Sequence, residues 1–511
     1  MKILGLKRSE LIILLLSAVV IMLFVSASSP IYPFNVWDDT NVYFSLGRGI
    51  LEGRVPYRDL YEQKGPIFLF MYAICALISR TGFTGLWVFE CMAASVFAVF
   101  SWKTVKLFVD PPVFVTGIAP VYMSLIYTTG MFNFGGSTEE FCFPLLAVVL
   151  YIALKMIKRT DGSLPSSKEA LICGVITSIL FWTKYTFLGF IAGFIILLIF
   201  RAVKYKQGKA LGKDILFFLA GFVALCLPVF IYFGVNGALQ SLWESYFYNN
   251  IFNYYANTAY TGIYAYAAVR FFVFPVLGLI TSCKMFHDYA ALVLLSLAGV
   301  IFFENKYRKS VLIMVAVTLF FSLKLIFSRS TFIFYYGFIL SFFFVFALIL
   351  TVRGIMFLIA LKPDRYKIIQ LISVVAFVVL TANLLIMCKN LYLVGQKKED
   401  LAQYKFASII NQTEDPKIIT YDIIDGGFYL ASGVSPSNRY FTYMNFIENN
   451  EEAVEEQDRL IEEGYFDYII TYYDGYDWDN YELVAVSDDD YSDYTKELFV
   501  VRYCIYQRVD G

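Results

Sequence analysis

The chain has 511 residues, with 41 Lys and Arg against 42 Asp and Glu and a formal net charge of −1. Hydrophobic residues make up 59% of it and charged residues only 16%, whereas soluble domains carry roughly 25% charged residues. The composition therefore excludes an ordinary soluble domain and predicts a membrane protein, for which no nucleic-acid partner is expected.

The first predicted element is a membrane-spanning helix. Leu11–Ser28 carries no charge and is long enough to span a bilayer. A cleaved signal peptide is the alternative, because residues 26–28 are small. The apolar region is longer than a signal peptide needs, however, and many apolar segments follow it. Lys2, Lys7 and Arg8 predict that the N-terminus is cytoplasmic.

Further apolar segments follow as far as residue 387 and predict a polytopic α-helical membrane protein with about 11–13 transmembrane helices. They lie near 66–79, 84–101, 113–129, 141–154, 169–183, 185–200, 214–234, 271–283, 289–303, 310–323, 331–352 and 367–387. The basic loops between them are predicted to be cytoplasmic, at 155–168, 201–213, 305–309 and 353–367. Two pairs of segments, within 66–101 and 271–303, conflict with this charge pattern if every member crosses. One member of each pair is therefore expected to be re-entrant or interfacial.

From Lys398 onward the composition changes. Residues 398–511 contain 25 Asp and Glu against 8 Lys and Arg, which leaves 17 acidic and 33 basic residues for the rest of the chain. Short apolar stretches with β-branched and aromatic residues alternate there with the helix-like "EEAVEEQDRLIEEG". We predict an acidic extracytoplasmic α/β domain with a mostly parallel sheet at 398–511, after a membrane module at 1–390. With one cysteine, Cys504, it is not expected to hold a disulfide framework.

The predicted external loop at 30–65 holds the first dense cluster of charge. "NVWDDTNVYFSLGRGILEGRVPYRD" (35–59) contains four acidic and three basic residues. An amphipathic helix on the lipid headgroups would explain most of this stretch. It explains Asp38 and Asp39 less well, because they follow Trp37 at the membrane boundary, where acidic groups are costly without a role or a partner.

The stretch "WDDTNVYFSLGRGILEGRVPYRDLYEQKGP" resembles the first external loop of the glycosyltransferase C (GT-C) superfamily. The resemblance is to the branch related to dolichyl-phosphate-mannose mannosyltransferases (glycosyltransferase 39), in its bacterial cell-envelope form. The matching features are Asp39, Tyr43, the turn that ends in Asp59, and Gly65-Pro66. Many members carry Glu after the Asp, and Thr40 stands there instead. The choice between Asp38 and Asp39 stays open, and we favour Asp39.

Two later stretches add to the resemblance. "GGSTEEFCFPLLAVVLY" resembles the second acidic site of the family, with Glu139 and Glu140. The alternative is ordinary helix capping, since Ser or Thr followed by acids suits a helix N-terminus. "SRSTFIFYYGFILSFFFVFAL" resembles a late motif through Arg329 and Tyr335, but Phe334 stands where the family usually has His.

The resemblance implies an inverting glycosyltransferase that moves a sugar from a polyprenyl-phosphate-linked donor to a cell-envelope glycan on the outer face of the membrane. The acceptor hydroxyl needs a general base, and Asp39 is the candidate, with Asp38 as the alternative. The donor phosphate needs cations or hydrogen-bond donors. The donor-site candidates are Arg329, Lys184 and Tyr335, and those for the acceptor or second acidic site are Glu139, Glu140, Tyr43 and Asp59.

Several alternatives stay open at this point. Lys184 lies beside Trp182 and Tyr185 and is equally suited to reach the membrane surface. Arg58 and Lys64 are expected to pair with Asp59 and Glu62. The aromatic loop at 236–267 suits either a sugar groove or an interfacial belt.

The sequence shows no metal motif, with a single His, yet a divalent ion held by Asp39 and Glu139 remains an alternative. A polysaccharide polymerase or a lipid-linked sugar flippase is the competing function. Membrane lipids are expected partners in either case. The kind of relative that the loop resembles predicts the plasma membrane of a bacterium.

Overall fold

The computed structural model describes residues 2–3, 5–253, 266–285, 287–327, 334–443, 451–487, 490–491 and 500–509. Most of these residues are helical, because the long apolar segments can satisfy their backbone hydrogen bonds internally only as helices. The helices are α1 (Arg8–Val25), α2 (Asp38–Leu51), α3 (Pro66–Ile78), α4 (Thr84–Phe108), α5 (Ile118–Tyr127), α6 (Thr138–Lys158), α7 (Ser167–Lys184), α8 (Gly189–Lys204), α9 (Gly208–Val235), α10 (Leu239–Leu242), α11 (Ala267–Met285), α12 (His287–Ile301), α13 (Asn305–Ile326), α14 (Val345–Leu361), α15 (Tyr366–Ile386), α16 (Ala402–Ile410), α17 (Phe428–Ser432) and α18 (Glu451–Glu462).

The strands are short and, apart from an N-terminal pair, lie near the C-terminus. They are β1 (Lys2–Ile3), β2 (Leu6–Lys7), β3 (Ile418–Thr420), β4 (Tyr468–Thr471), β5 (Tyr481–Val486), β6 (Asp490–Tyr491), β7 (Val500–Val501) and β8 (Cys504–Arg508). The predicted class, a polytopic helical membrane protein with a C-terminal α/β part, is confirmed by these elements.

Eight helical segments among the described residues are long and apolar enough to cross a membrane. They are Arg8–Val25, Thr84–Phe108, Thr138–Lys158, Ser167–Lys204, Gly208–Val235, Asn305–Ile326, Tyr335–Leu361 and Pro363–Ile386. The shorter apolar helices Pro66–Ile78, Val113–Tyr127 and His287–Ile301 add to them. The pairs with conflicting charges contain two of these short helices, α3 and α12, and which members cross the membrane stays a prediction. A helix of 13 residues such as α3 is only about 20 Å long, less than the hydrocarbon thickness.

The described chain forms two compact units. The first consists of Met1–Ser29, Trp87–Pro228 and Ala259–Tyr392. Its core is built from apolar side chains of α1, α4, α5, α6 and α14, with buried Trp102 and Phe143 among the largest. Lys106 of α4 pairs with the fully buried Glu10 of α1 at 2.7 Å, which compensates a charge in an apolar setting.

The second unit consists of Pro30–Leu86, Val229–Thr258 and Leu393–Gly511. It therefore joins the first loop, with α2 and α3, to the C-terminal region. The predicted boundary between 1–390 and 398–511 stays a prediction. Helices α2 and α3 approach so closely that a Cβ on Gly47 would lie 2.6 Å from the carbonyl carbon of Tyr72.

The C-terminal sheet has the order β3-β4-β8-β5. Only β3 and β4 are parallel, and β8 is antiparallel to both β4 and β5. The expectation of a mostly parallel sheet is therefore wrong. A crossover with α17 and α18 allows β3 and β4 to run parallel, whereas no helix separates β4 from β5, and β8 inserts between them. The predicted alternation of strands and helix is present, and α18 lies within the predicted helical stretch "EEAVEEQDRLIEEG".

Candidate functional site

The first turn of α2 carries both candidate bases. Asp38 and Asp39 are its first two residues and keep part of their surface accessible. Acidic side chains at this position are favoured by the free backbone N–H groups of the helix end. Buried Asn41 braces the entry to the helix, because its side-chain nitrogen donates to the carbonyls of Asn35 at 2.9 Å and Trp37 at 3.0 Å.

Asp39 lines a small cavity of about 30 Å³, large enough for one or two waters. The cavity is lined by Asp39, Val42, Tyr43, Glu62, Gln63, Lys64, Ile424 and Tyr443. It is therefore built from the first loop together with the C-terminal region, and it brings a carboxylate and a cation to one place. Lys64 Nζ lies 3.9 Å from Glu62 Oε1 and 5.5 Å from the centroid of the Tyr43 ring.

Asp38 neighbours a third carboxyl group, which comes from the C-terminal region. Its pKa is raised well above the ordinary Asp value, first by burial and then by the like charges of Asp39 and Asp425. Burial also raises the pKa of Asp425, to about 6, although the N–H groups of Gly427 and Phe428 oppose the shift. Burial and the two acidic neighbours thus favour the protonated form of Asp38.

Asp425 is fully buried and is held on several sides. One oxygen accepts from the N–H groups of Gly427 and Phe428, both at 2.9 Å. The other accepts from the Ser45 hydroxyl of α2 at 3.2 Å. A second link to α2 follows further along, where the Arg48 guanidinium donates to the Tyr429 carbonyl at 3.0 Å.

The turn at 53–59 holds Asp59. Its carboxylate accepts from the Val55 N–H at 2.7 Å and from the Arg58 guanidinium at 2.7 Å and 2.9 Å. The hydrogen bond with Arg58 lowers the pKa of Asp59 against a smaller opposing effect of burial. The expected pairs, Arg58 with Asp59 and Lys64 with Glu62, are both present.

The second acidic stretch lies in the first unit, at the start of α6. Ser137 caps this helix by accepting from the Glu140 N–H at 3.1 Å, and Glu140 accepts from the Gly136 N–H at 2.7 Å. Glu139 is fully buried and pairs with Lys184 at 2.7 Å. The capping alternative therefore describes Ser137 and Glu140, whereas Glu139 and Lys184 are brought together across two helices.

Lys184 also lies against an aromatic ring. Its Nζ is 3.5 Å from the centroid of the Tyr336 ring, a cation–π contact. The neighbouring Tyr335 packs edge-on against Tyr336, with ring centroids 5.2 Å apart. Arg329 lies outside the described residues, as does the part of the aromatic loop at 254–265.

Sequence reasoning missed two buried carboxyls. Asp425 is 380 residues from Ser45 in the chain, so no local motif connects them. Glu90 of α4 is fully buried and accepts a hydrogen bond from the Ser26 hydroxyl. The sequence could have indicated Glu90, because a single acidic residue in an apolar helix is costly and usually has a partner or a function.

The helices define a polytopic helical membrane protein, and comparison with solved structures shows that it has the GT-C fold. Two solved structures of ArnT from Cupriavidus metallidurans share that fold. The one bound to undecaprenyl phosphate superposes with a TM-score of 0.60 at 11% identity and covers 98% of this chain and 99% of its own. The apo structure gives 0.57 at 11% identity, with coverages of 98% and 97%.

No protein-family model matches the sequence, and no curated protein matches it either. The likeness to ArnT is therefore a likeness of fold. Over the described part of the chain, no group of three or more His, Cys, Asp and Glu is arranged to hold a metal ion. The two Glu139 oxygens accept hydrogen bonds from Lys184 and from the Thr138 hydroxyl. The divalent ion proposed from the sequence is not tested by these contacts and stays an alternative.

Proposed function

We propose that the protein is an inverting glycosyltransferase that moves a sugar from a polyprenyl-phosphate carrier to a cell-envelope glycan or another acceptor. The observation that carries the proposal is the cavity lined by both Asp39 and Lys64, in which Lys64 lies beside Glu62. A transferase of this kind needs a base and a cation for an anionic leaving group. The fold adds support, since an ArnT of the same fold was solved bound to undecaprenyl phosphate.

The reaction follows from these groups. The acceptor hydroxyl attacks the anomeric carbon of the donor while Asp39 takes its proton. The bond between that carbon and the phosphate oxygen breaks, and its electron pair leaves with the polyprenyl phosphate. One displacement on the face opposite the phosphate inverts the anomeric carbon. The leaving phosphate gains charge, and Lys64 is placed to stabilise it.

Asp39 is the better base of the two neighbouring acids. It lines the cavity, whereas the pKa of Asp38 is raised by burial and by its two acidic neighbours. A raised pKa favours the protonated form of Asp38, so we propose Asp39 as the base.

The donor phosphate has further candidate partners. Lys184 and Arg329 are proposed to bind it as cations and Tyr335 as a hydrogen-bond donor. The Lys184 ammonium now pairs with Glu139, so a phosphate would compete with that carboxylate or share the cation with it. Glu139, Glu140, Tyr43 and Asp59 remain the proposed acceptor-side residues, and the branch related to dolichyl-phosphate-mannose mannosyltransferases remains the proposed family.

The proposed location is the plasma membrane of a bacterium, with the N-terminus in the cytoplasm and residues 398–511 outside. Basic residues at the N-terminus and the acidic composition of 398–511 support it. Protease added to intact spheroplasts should remove the C-terminal region. Protection from the protease would place that region inside.

A lipid analysis tests the function without knowledge of the sugar. A host strain that lacks the protein should accumulate one polyprenyl-phosphate-linked sugar, measured by mass spectrometry of its lipid extract, and the wild-type gene should restore the normal level. A flippase would also cause accumulation, but purified protein should then fail to consume the extracted lipid in detergent. Consumption in detergent, with release of polyprenyl phosphate, is the expected result.

A further inference from the structure

The turn Asp425-Gly426-Gly427 of the C-terminal region lies directly against the first turns of α2. A Cβ on Gly426 would lie 3.7 Å from Asp38 Oδ1. Gly427 has φ of +103°, and a Cβ there would meet the Phe34 ring at 2.3 Å and Asn41 Oδ1 at 2.8 Å. Only glycine can take this conformation in this space. The turn is therefore fitted to the helix that carries the candidate base.

Hydrogen bonds tie the same turn to α2. Ser45 lies about two helical turns after Asp38 and donates to Asp425. Arg48, one turn further, donates to the carbonyls of Tyr429 and Gly433, which follow Asp425 in the chain. Both α2 residues are buried, so water cannot easily replace these partners, and the helix is held along one side by residues 425–433.

We infer that Asp425 is a positioning residue of the proposed transferase: through Ser45 and the turn at 425–427 it fixes α2, the helix that carries Asp39. The inference rests on the proposed function. It also gives the C-terminal region a defined task, because that region completes the surroundings of the base.

The charges around these groups support the assignment. Asp425 is faced by Asp38 and Arg48 of α2 and by the Tyr429 hydroxyl of α17. Asp38 is faced by Asp39 and Asp425. Since a negative neighbour favours the protonated form of a carboxyl, removal of the Asp425 charge makes Asp38 easier to ionise.

The test compares Asp425→Asn with wild type and with Asp422→Asn, an exposed acid of the same loop. Purified full-length proteins are assayed with the polyprenyl-phosphate sugar extracted from a host that lacks the protein. For Asp425→Asn we expect kcat to fall by about 10-fold with the donor KM nearly unchanged. Asp422→Asn should match wild type.

The outcomes separate the two proposals. If wild type consumes the lipid and Asp39→Asn does not, while Asp425→Asn matches wild type in kcat, the positioning role of Asp425 is wrong and the transferase stands. A rise in donor KM in place of the fall in kcat would also overturn the positioning role. Failure of wild type to consume the lipid counts against the transferase instead.

A second variant tests the same contact if Asp425→Asn folds poorly. Ser45→Ala removes one hydrogen bond to Asp425 and no charge. We expect it to lower kcat by a few-fold, roughly the effect of one lost buried hydrogen bond, and to leave the donor KM nearly unchanged. Full kcat in Ser45→Ala would contradict the positioning of α2 through this contact.

Discussion

Lys184 Nζ lies 2.7 Å from Oε1 of Glu139, which is fully buried at the start of α6. The two residues are proposed for different tasks, the donor phosphate and the second acidic site. Their contact means that neither side chain can be tested alone, because removal of Lys184 leaves a buried carboxylate without its cation.

Lys184→Ala should lower the melting temperature in detergent strongly, since an unpaired buried charge costs about 3–5 kcal/mol. The double variant Lys184→Met/Glu139→Gln should recover most of this loss, because it removes both charges. If Lys184 also binds the donor phosphate, the double variant should still show a raised donor KM. Equal melting temperatures for the single and double variants would contradict the pairing, and a normal donor KM would leave Lys184 with a structural role only.

Gly47 marks the closest approach of α2 to α3. A Cβ there would lie 2.6 Å from the Tyr72 carbonyl carbon and 2.7 Å from its oxygen, so Gly47→Ala must push the helices apart. We predict a loss of about 1–3 kcal/mol, typical of overpacking, measured as a lower melting temperature. Gly354→Ala is the control, because its Cβ would meet nothing within 4 Å, and it should be neutral or slightly stabilising. Equal changes in melting temperature for Gly47→Ala and Gly354→Ala would contradict the close approach of α2 to α3 at Gly47.

The sequence predicted the membrane class, the alternation of strands and helices in the C-terminal region, and the pairs Arg58–Asp59 and Lys64–Glu62. These features follow from composition, periodicity and neighbouring charges. The antiparallel strand β8 and the contact of Asp425 with Ser45 were not predictable, because both depend on which distant segments meet. The Glu139–Lys184 pair was predicted only in part. Each residue was selected from its own stretch of sequence, but their contact was not expected.

The buried carboxyl of Asp425 should make stability depend on pH. Its pKa is raised from the ordinary Asp value to about 6 in the folded protein, first by burial. The folded state therefore binds more protons than the unfolded state between about pH 4 and pH 6. This contribution to stability is complete below the ordinary Asp pKa and is lost as the pH rises through about 6.

Asp425→Asn cannot ionise, so its melting temperature relative to wild type should be higher at pH 7 than at pH 4. Differential scanning fluorimetry of the purified full chain at both pH values measures the difference. Asp422→Asn, at an exposed site, should show no such change. A difference between Asp425→Asn and wild type that stays constant over this range would mean that Asp425 does not titrate as described.

The central claim is that Asp39 removes the acceptor proton. Asp39→Asn keeps the size and hydrogen bonding of the side chain but removes its basicity, and loss of a general base typically costs about 10²–10⁴-fold in rate. Asp38→Asn is the matched control and should cause a milder loss, because it leaves the proposed base in place.

The most direct measurement is the turnover of the extracted polyprenyl-phosphate sugar by purified wild type, Asp38→Asn and Asp39→Asn, each shown to be folded and inserted normally. The account predicts that Asp39→Asn loses at least about 100-fold in turnover while Asp38→Asn retains most of it. Loss of turnover in Asp38→Asn with normal turnover in Asp39→Asn would assign the base to Asp38. Normal turnover in both variants would contradict the transferase mechanism at this loop.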